Sequence, residues 1–160
     1  MTADVRFERL AAELGHNFSG EIKIGGNYSP VVRDGQQLYV SGQIPRVGDE
    51  VLFVGAVGDA FDVVQGQQAA AICAMRALAF LQRAAGSLDA IASILRITVY
   101  VRSAPNFMQQ SEVADGASDV FCRVLGPRGV HTRTSVGVLQ LPKGTAVELD
   151  LVATIMAAPA

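Results

Sequence analysis

Tryptophan is absent from this 160-residue chain, and cysteine and histidine occur only twice each. Cys73 and Cys122 stand alone in helix-like segments, without the close spacing of a zinc site or a disulfide framework. Both are therefore expected as small buried apolar residues, and neither a metal nor a cofactor is expected. Lysine and arginine never form a run, and 13 basic residues stand against 15 acidic ones. That balance leaves no electrostatic footprint for a phosphate backbone, which argues against a nucleic-acid partner. Long hydrophobic runs are missing too: the longest apolar stretches are cut by Gln68 and Arg76 before they could span a bilayer. The start, Met1 to Arg6, has no apolar targeting segment, so the expected location is cytoplasmic, with no membrane contact. Gly55-Ala56-Val57-Gly58 lacks a full dinucleotide or phosphate-loop pattern and reads as a turn.

What is present is apolar residue in quantity, 50% of the chain against 18% charged. The length suits one ordinary domain, residues 1–160, with a core of its own. So apolar a composition in a chain of this size points to surface covered by partner subunits.

The spacing of Phe7, Leu10 and Leu14 predicts a short amphipathic helix from Val5 to Leu14, stopped at Gly15, that serves as a lid or packing element. Strands are predicted at Ile22–Ile24, Tyr28–Arg33, Gln37–Ile44 and Val51–Val54, with a turn at Asp34-Gly35. From Asp59 to Ala85 the chain is rich in alanine, and Val64, Gln67, Ala71, Ala74, Leu78, Leu81 and Ala85 mark one face of a long helix ending at Gly86. Ile91 to Val101 reads as a strand with Leu95, Ile97, Val99 and Val101 on one side. A second long helix is expected from Pro105 to Leu125, followed by two strands. The order describes an α+β domain, a mixed sheet covered on one face by two long helices.

A hairpin of the last two strands about Pro142-Lys143-Gly144, with Gln140 opposite Thr145, would place Arg133, Ser135, Gly137, Glu148 and Asp150 on one face. Tyr39, Ser41, Gln43, Arg96 and Thr98 would extend this polar face across the sheet. An arginine and two acids behind an apolar hairpin need water, a ligand or another chain, and a trimer that turns these faces inward would build clefts between subunits.

Ser41-Gly42-Gln43-Ile44-Pro45, the alanine-rich helix, Arg96-Ile97-Thr98-Val99-Tyr100-Val101, Thr132-Arg133-Thr134-Ser135-Val136, Leu141-Pro142-Lys143-Gly144 and Val147-Glu148-Leu149 occur in that order. In these blocks the chain resembles the RidA/YjgF family, also called endoribonuclease L-PSP, over a core of residues 22–155 that follows an N-terminal helical extension, 1–20. The resemblance implies a chorismate-mutase-like fold, a homotrimer with ligand pockets at the subunit interfaces, and hydrolysis of enamines and imines such as 2-aminoacrylate to a keto acid and ammonia. It also implies that Arg133 holds the substrate carboxylate, Glu148 holds the attacking water, Tyr28 lines the pocket, and Ser41-Gly42 touches the ligand. The chain departs from the pattern where Ser135 replaces a frequent cysteine, Asp115 an asparagine and His131 a proline. It therefore looks like a divergent branch with a substrate of its own, in which Ser135 and Asp115 are candidate pocket residues.

The residue chemistry fits these assignments. An arginine fork donates two parallel hydrogen bonds to a carboxylate; the plainer role for Arg133 is a salt bridge to Glu148 or Asp150 across subunits. Imine hydrolysis asks for a positioned water and a proton acceptor, which a partly buried Glu148 supplies; otherwise it is a solvated strand residue. Nothing in the sequence activates Ser135 as a nucleophile. His131 could titrate near neutrality or sit at an interface, and His16 is a surface residue. The competing class is a non-catalytic binder or sensor of small carboxylates, favoured by Asp115 and Ser135.

Overall fold

The computed structural model describes all of residues 1–160. Helix α1 (Ala3–Leu14) opens with Thr2, whose side chain accepts a hydrogen bond from the Val5 amide, and stops at Gly15 in the left-handed region, φ 73°. Its buried face carries Ala3, Phe7, Leu10 and Ala11. Asp4 fastens it further, accepting from Gln82 Nε2 at 2.7 Å, Ser87 Oγ at 2.5 Å and the Leu88 amide at 2.9 Å. Burial alone would raise the Asp4 pKa, but these three bonds together bring it below its ordinary value. The N-terminal helix is thus a packing element and makes a third member of the helical layer.

Strands β1 (Val31–Asp34) and β2 (Gln37–Gln43) form a hairpin, and β3 (Arg46–Val47) pairs with β4 (Glu50–Val51) as a small separate ribbon. Residues 22–24, expected as a strand, run without regular structure. Helix α2 (Val63–Ala85) begins at a capping box, Asp62 with Gln65, and ends at Gly86, φ 83°. From Ala69 to Leu81 it is buried on every side, so its apolar character is more than a stripe: it is the central helix, with the sheet on one side and the other helices and residues 18–24 around it. Strand β5 (Ile91–Arg102) leads through helix α3 (Gln110–Leu125) to β6 (Thr132–Val138), and the chain closes on β7 (Val147–Ile155).

Alanines at the crossing of α2 and α3 are small enough for close packing, and Gly116 takes this furthest. A Cβ there would lie 2.2 Å from the Gln67 carbonyl oxygen, which backbone cannot yield. Gly116→Ala is expected to destabilise the fold by about 1–3 kcal/mol, read from the urea midpoint. An unchanged midpoint would show that the helices shift apart without cost.

The sheet order is β1-β2-β7-β5-β6. The expected hairpin of the last two strands is not formed: β5 lies between them, parallel to β6 and antiparallel to β7. Strand β6 is therefore the return limb of a β-α-β crossover, and its register follows β5: Arg133 stands beside Ile97, Ser135 beside Val99 and Gly137 beside Val101. Because Ile97, Val99 and Val101 are fully buried under the helices, Arg133 and Ser135 face the helical layer as well. Glu148 and Asp150 alternate with buried Val147, Leu149 and Leu151 and face the open side. Arg133 and Glu148 thus lie on opposite faces of the sheet, which corrects the co-facial arrangement.

Two irregularities re-aim other side chains. A bulge between Ile94 and Arg96 buries Ile94 and exposes Leu95, reversing the expected assignment of Leu95. Another, between Val40 and Gln43, turns Gln43 into the core. Cys73 is buried as expected, and burial pushes its thiol pKa up; Cys122 is exposed on α3, contrary to expectation. The open sheet face carries no helix, and Val32, Tyr39 and Val136 remain exposed on it.

Candidate functional site

Glu148 stands on β7, whose neighbours are β5 and the bulged end of β2. The bulge places Gly42 directly below the carboxylate: a Cβ at Gly42 would come within 2.0 Å of Glu148 Oε1, so only glycine leaves the acid where it is. Glu148 is half-buried, and its pKa is raised, first by that burial and then by the charge of Asp150. Asp150 accepts a hydrogen bond from Tyr100 Oη at 2.9 Å, and Tyr100 is the cross-strand neighbour of Glu148. Burial, followed by the Asp150 contact, raises the Tyr100 pKa and keeps its proton in place.

A cleft of about 420 Å³ opens beside Glu148 and Gly42, with Tyr28 and Ile24 from the N-terminal loop and Pro142 and Lys143 from the β6–β7 connection. Lys143 sits at φ 57°, a left-handed conformation that costs a residue with a side chain about 1–2 kcal/mol. Lys23, Arg46 and Arg76 also line it. Arg76 and Arg46 were not singled out as site residues by sequence. Arg76 entered there only as an interruption of an apolar run, and its place in the middle of a fully buried helix is the signal that could have found it.

A separate polar cluster surrounds Arg133. Its Nη1 donates to Asp115 Oδ1 at 2.8 Å and to Ser118 Oγ at 2.9 Å; its Nη2 donates to the Ser111 carbonyl at 3.1 Å and Ser111 Oγ at 3.0 Å. Within the chain the acid that pairs with Arg133 is Asp115, not Glu148 or Asp150. Ser111, Asp115 and Ser118 follow the i, i+4, i+7 spacing of one helix face, the signal by which Ser111 and Ser118 could have been found. His131 Nδ1 donates to the Gly129 carbonyl at 2.6 Å, which leaves Nε2 to accept from the Ser118 hydroxyl at 2.9 Å. Ser135 shares the Arg133 face and is half-buried.

Tyr28, Gly42 and Glu148 therefore meet in one cleft, whereas Arg133, Asp115 and Ser135 gather on the other side of the sheet. Ser41 lies at the bulge between Val40 and Gln43, where its carbonyl accepts from Gln43 Nε2 at 3.0 Å. No group of three or more His, Cys, Asp and Glu side chains is placed to hold a metal ion.

The family model of the YjgF/chorismate mutase-like endoribonucleases matches residues 9–153. The chain belongs to this family. Protein TCP17 of Trypanosoma cruzi is 43% identical to it over 125 residues, 78% of each chain. A structure from Agrobacterium tumefaciens, described as of unknown function, is 34% identical with a TM-score of 0.84, over 96% of this chain and 92% of that one. A Shewanella oneidensis structure named as an endoribonuclease is 26% identical with a TM-score of 0.88, over 97% and 100%. Family members of this kind share the mixed sheet and its helical layer. No helix here is long and apolar enough to cross a membrane.

Proposed function

We propose that this protein hydrolyses small 2-imino acids to keto acids and ammonia, with Glu148 as proton acceptor for the attacking water. The observation that carries the reading is the Glu148 carboxylate, half-buried beside a cleft, seated on a glycine and raised in pKa by burial. Such a group is a stronger base than a solvated glutamate while still open to substrate. Water adds its oxygen to the imine carbon as Glu148 takes one of its protons and passes it to the nitrogen. Glu148 then takes the remaining hydroxyl proton and passes it on as the carbon–nitrogen bond breaks, so that the carbonyl forms and both water hydrogens leave on ammonia.

The substrate carboxylate is assigned to Arg133, supplied by a neighbouring subunit. Within one chain the sheet separates Arg133 from Glu148, and β6 is an edge strand with one side unpaired. A homotrimer in which each open sheet face receives the rim of the next subunit unites the two groups and covers Val32, Tyr39 and Val136. Light scattering at micromolar protein, together with an assay against freshly generated 2-aminoacrylate and bulkier imines, tests the proposal. A trimer mass with hydrolysis well above the spontaneous rate is expected. A monomer mass would remove the shared site.

The second reading, a non-enzymatic binder or sensor of small carboxylates, is favoured by the departures from the family pattern at Asp115 and Ser135, the first of which ion-pairs with Arg133. A ribonuclease role, the name carried by the Shewanella structure, finds less support. His131 is tied between Gly129 and Ser118, and His16 packs its ring edge against Phe18, so the two histidines act apart.

A further inference from the structure

We propose that the floor of the Glu148 cleft is a second anion subsite, built by Arg76 and Arg46, and that the substrate is a dicarboxylic 2-imino acid. This rests on the reading of that cleft as the reaction site. Of the charged residues lining it, Lys23, Arg46, Arg76 and Lys143 are cationic and Glu148 alone is acidic. Lys23 is already answered by Asp49. Arg76 is not: it is only 4% exposed, and each of its hydrogen bonds goes to a neutral oxygen. Nε donates to Gln43 Oε1 at 3.2 Å, Nη1 to the Arg46 carbonyl at 2.7 Å and Nη2 to the Lys23 carbonyl at 2.8 Å.

A guanidinium so deeply buried without a carboxylate is costly, since neutral dipoles replace its water but not a counter-charge. Burial, aided by the neighbouring Arg46 charge, pulls the Arg76 pKa down to about 10, which leaves it charged near neutrality. Arg46 adds an independent observation: its Nε is buried and has no hydrogen-bond partner at all. An orphaned guanidinium donor beside an uncompensated cation, both in the lining of one cleft, asks for a small planar anion with acceptors on two edges, which a carboxylate supplies. The first carboxylate of the substrate belongs to Arg133 in the proposed trimer, so the group held here is a second one, on the substrate side chain. The cleft, about 420 Å³, has room for the longer chain that this requires.

The probes are pyruvate and 2-oxoglutarate, stable keto acids that differ in that second carboxylate, titrated calorimetrically into the wild type and into Arg46→Gln and Arg76→Lys. 2-Oxoglutarate is expected to bind the wild type about tenfold tighter than pyruvate or more, as one charge-assisted contact allows. Arg46→Gln should remove most of that preference while the pyruvate affinity changes less than about twofold. Arg76→Lys keeps the charge but loses the fork, and should weaken 2-oxoglutarate alone; its melting temperature reports whether the loop carbonyls are still held. Equal affinity for the two acids, or a preference that survives Arg46→Gln, overturns the subsite and leaves the Glu148 reading standing if monocarboxylic imines are turned over. Binding of neither acid by folded trimer overturns both.

Discussion

Glu148→Gln is expected to slow imine hydrolysis by about 10²-fold or more while the affinity for a stable keto acid stays nearly unchanged. The amide keeps the shape of the side chain above Gly42 and can still hold a water, but it cannot take a proton. Because the Glu148 pKa is raised by burial and then by Asp150, the wild-type rate should climb with pH along a limb centred above the ordinary glutamate value of 4.5. That limb should vanish in the variant. Linkage gives an independent readout of opposite sign. A carboxyl with a raised folded pKa contributes stability that is complete below the unfolded value and is lost as pH rises through the folded one. Glu148→Gln should therefore be somewhat more stable than the wild type at pH 7, with the gap closing in acid. A variant that loses keto-acid affinity along with rate would make Glu148 a binding residue; a wild type with no hydrolysis across the imine panel that still binds a keto acid would point to the binder.

The helices and most strands were legible because their periods are local. The three- and four-residue spacing along α2, its stop at Gly86 and the alternation of Ile97, Val99 and Val101 all act within a few residues. The pairing of β6 was not, since adjacency in sequence across Pro142-Lys143-Gly144 suggested a hairpin, while the contact that decides the register comes from β5, joined through α3. One strand inserted between two others reversed the face of Arg133. Tyr28, Gly42 and Glu148 were singled out by motif and share one cleft, and the bulge that aims Gly42 at Glu148 explains why glycine stands there. Arg76 was missed because its partners lie 30, 33 and 53 residues away, and no spacing rule reaches that far.

A second large effect is expected at Arg133. Removing its fork in Arg133→Ala costs about 1.5–3 kcal/mol of carboxylate binding, or roughly 10- to 150-fold in affinity. The same change strands Asp115 and Ser118 and so lowers the melting temperature somewhat, which makes a single variant ambiguous. Mixing resolves it. If a substrate lies between the Arg133 of one subunit and the Glu148 of the next, each site needs only one intact residue from each chain. Unfolding and reassembling equal amounts of Arg133→Ala and Glu148→Gln protein should then restore about a quarter of the wild-type sites, although either variant alone is strongly impaired at low substrate. Mixed trimers without activity would mean that the two residues do not share a site. Arg133 would then remain the anchor that Asp115, Ser111 and Ser118 already make of it, holding β6 to α3.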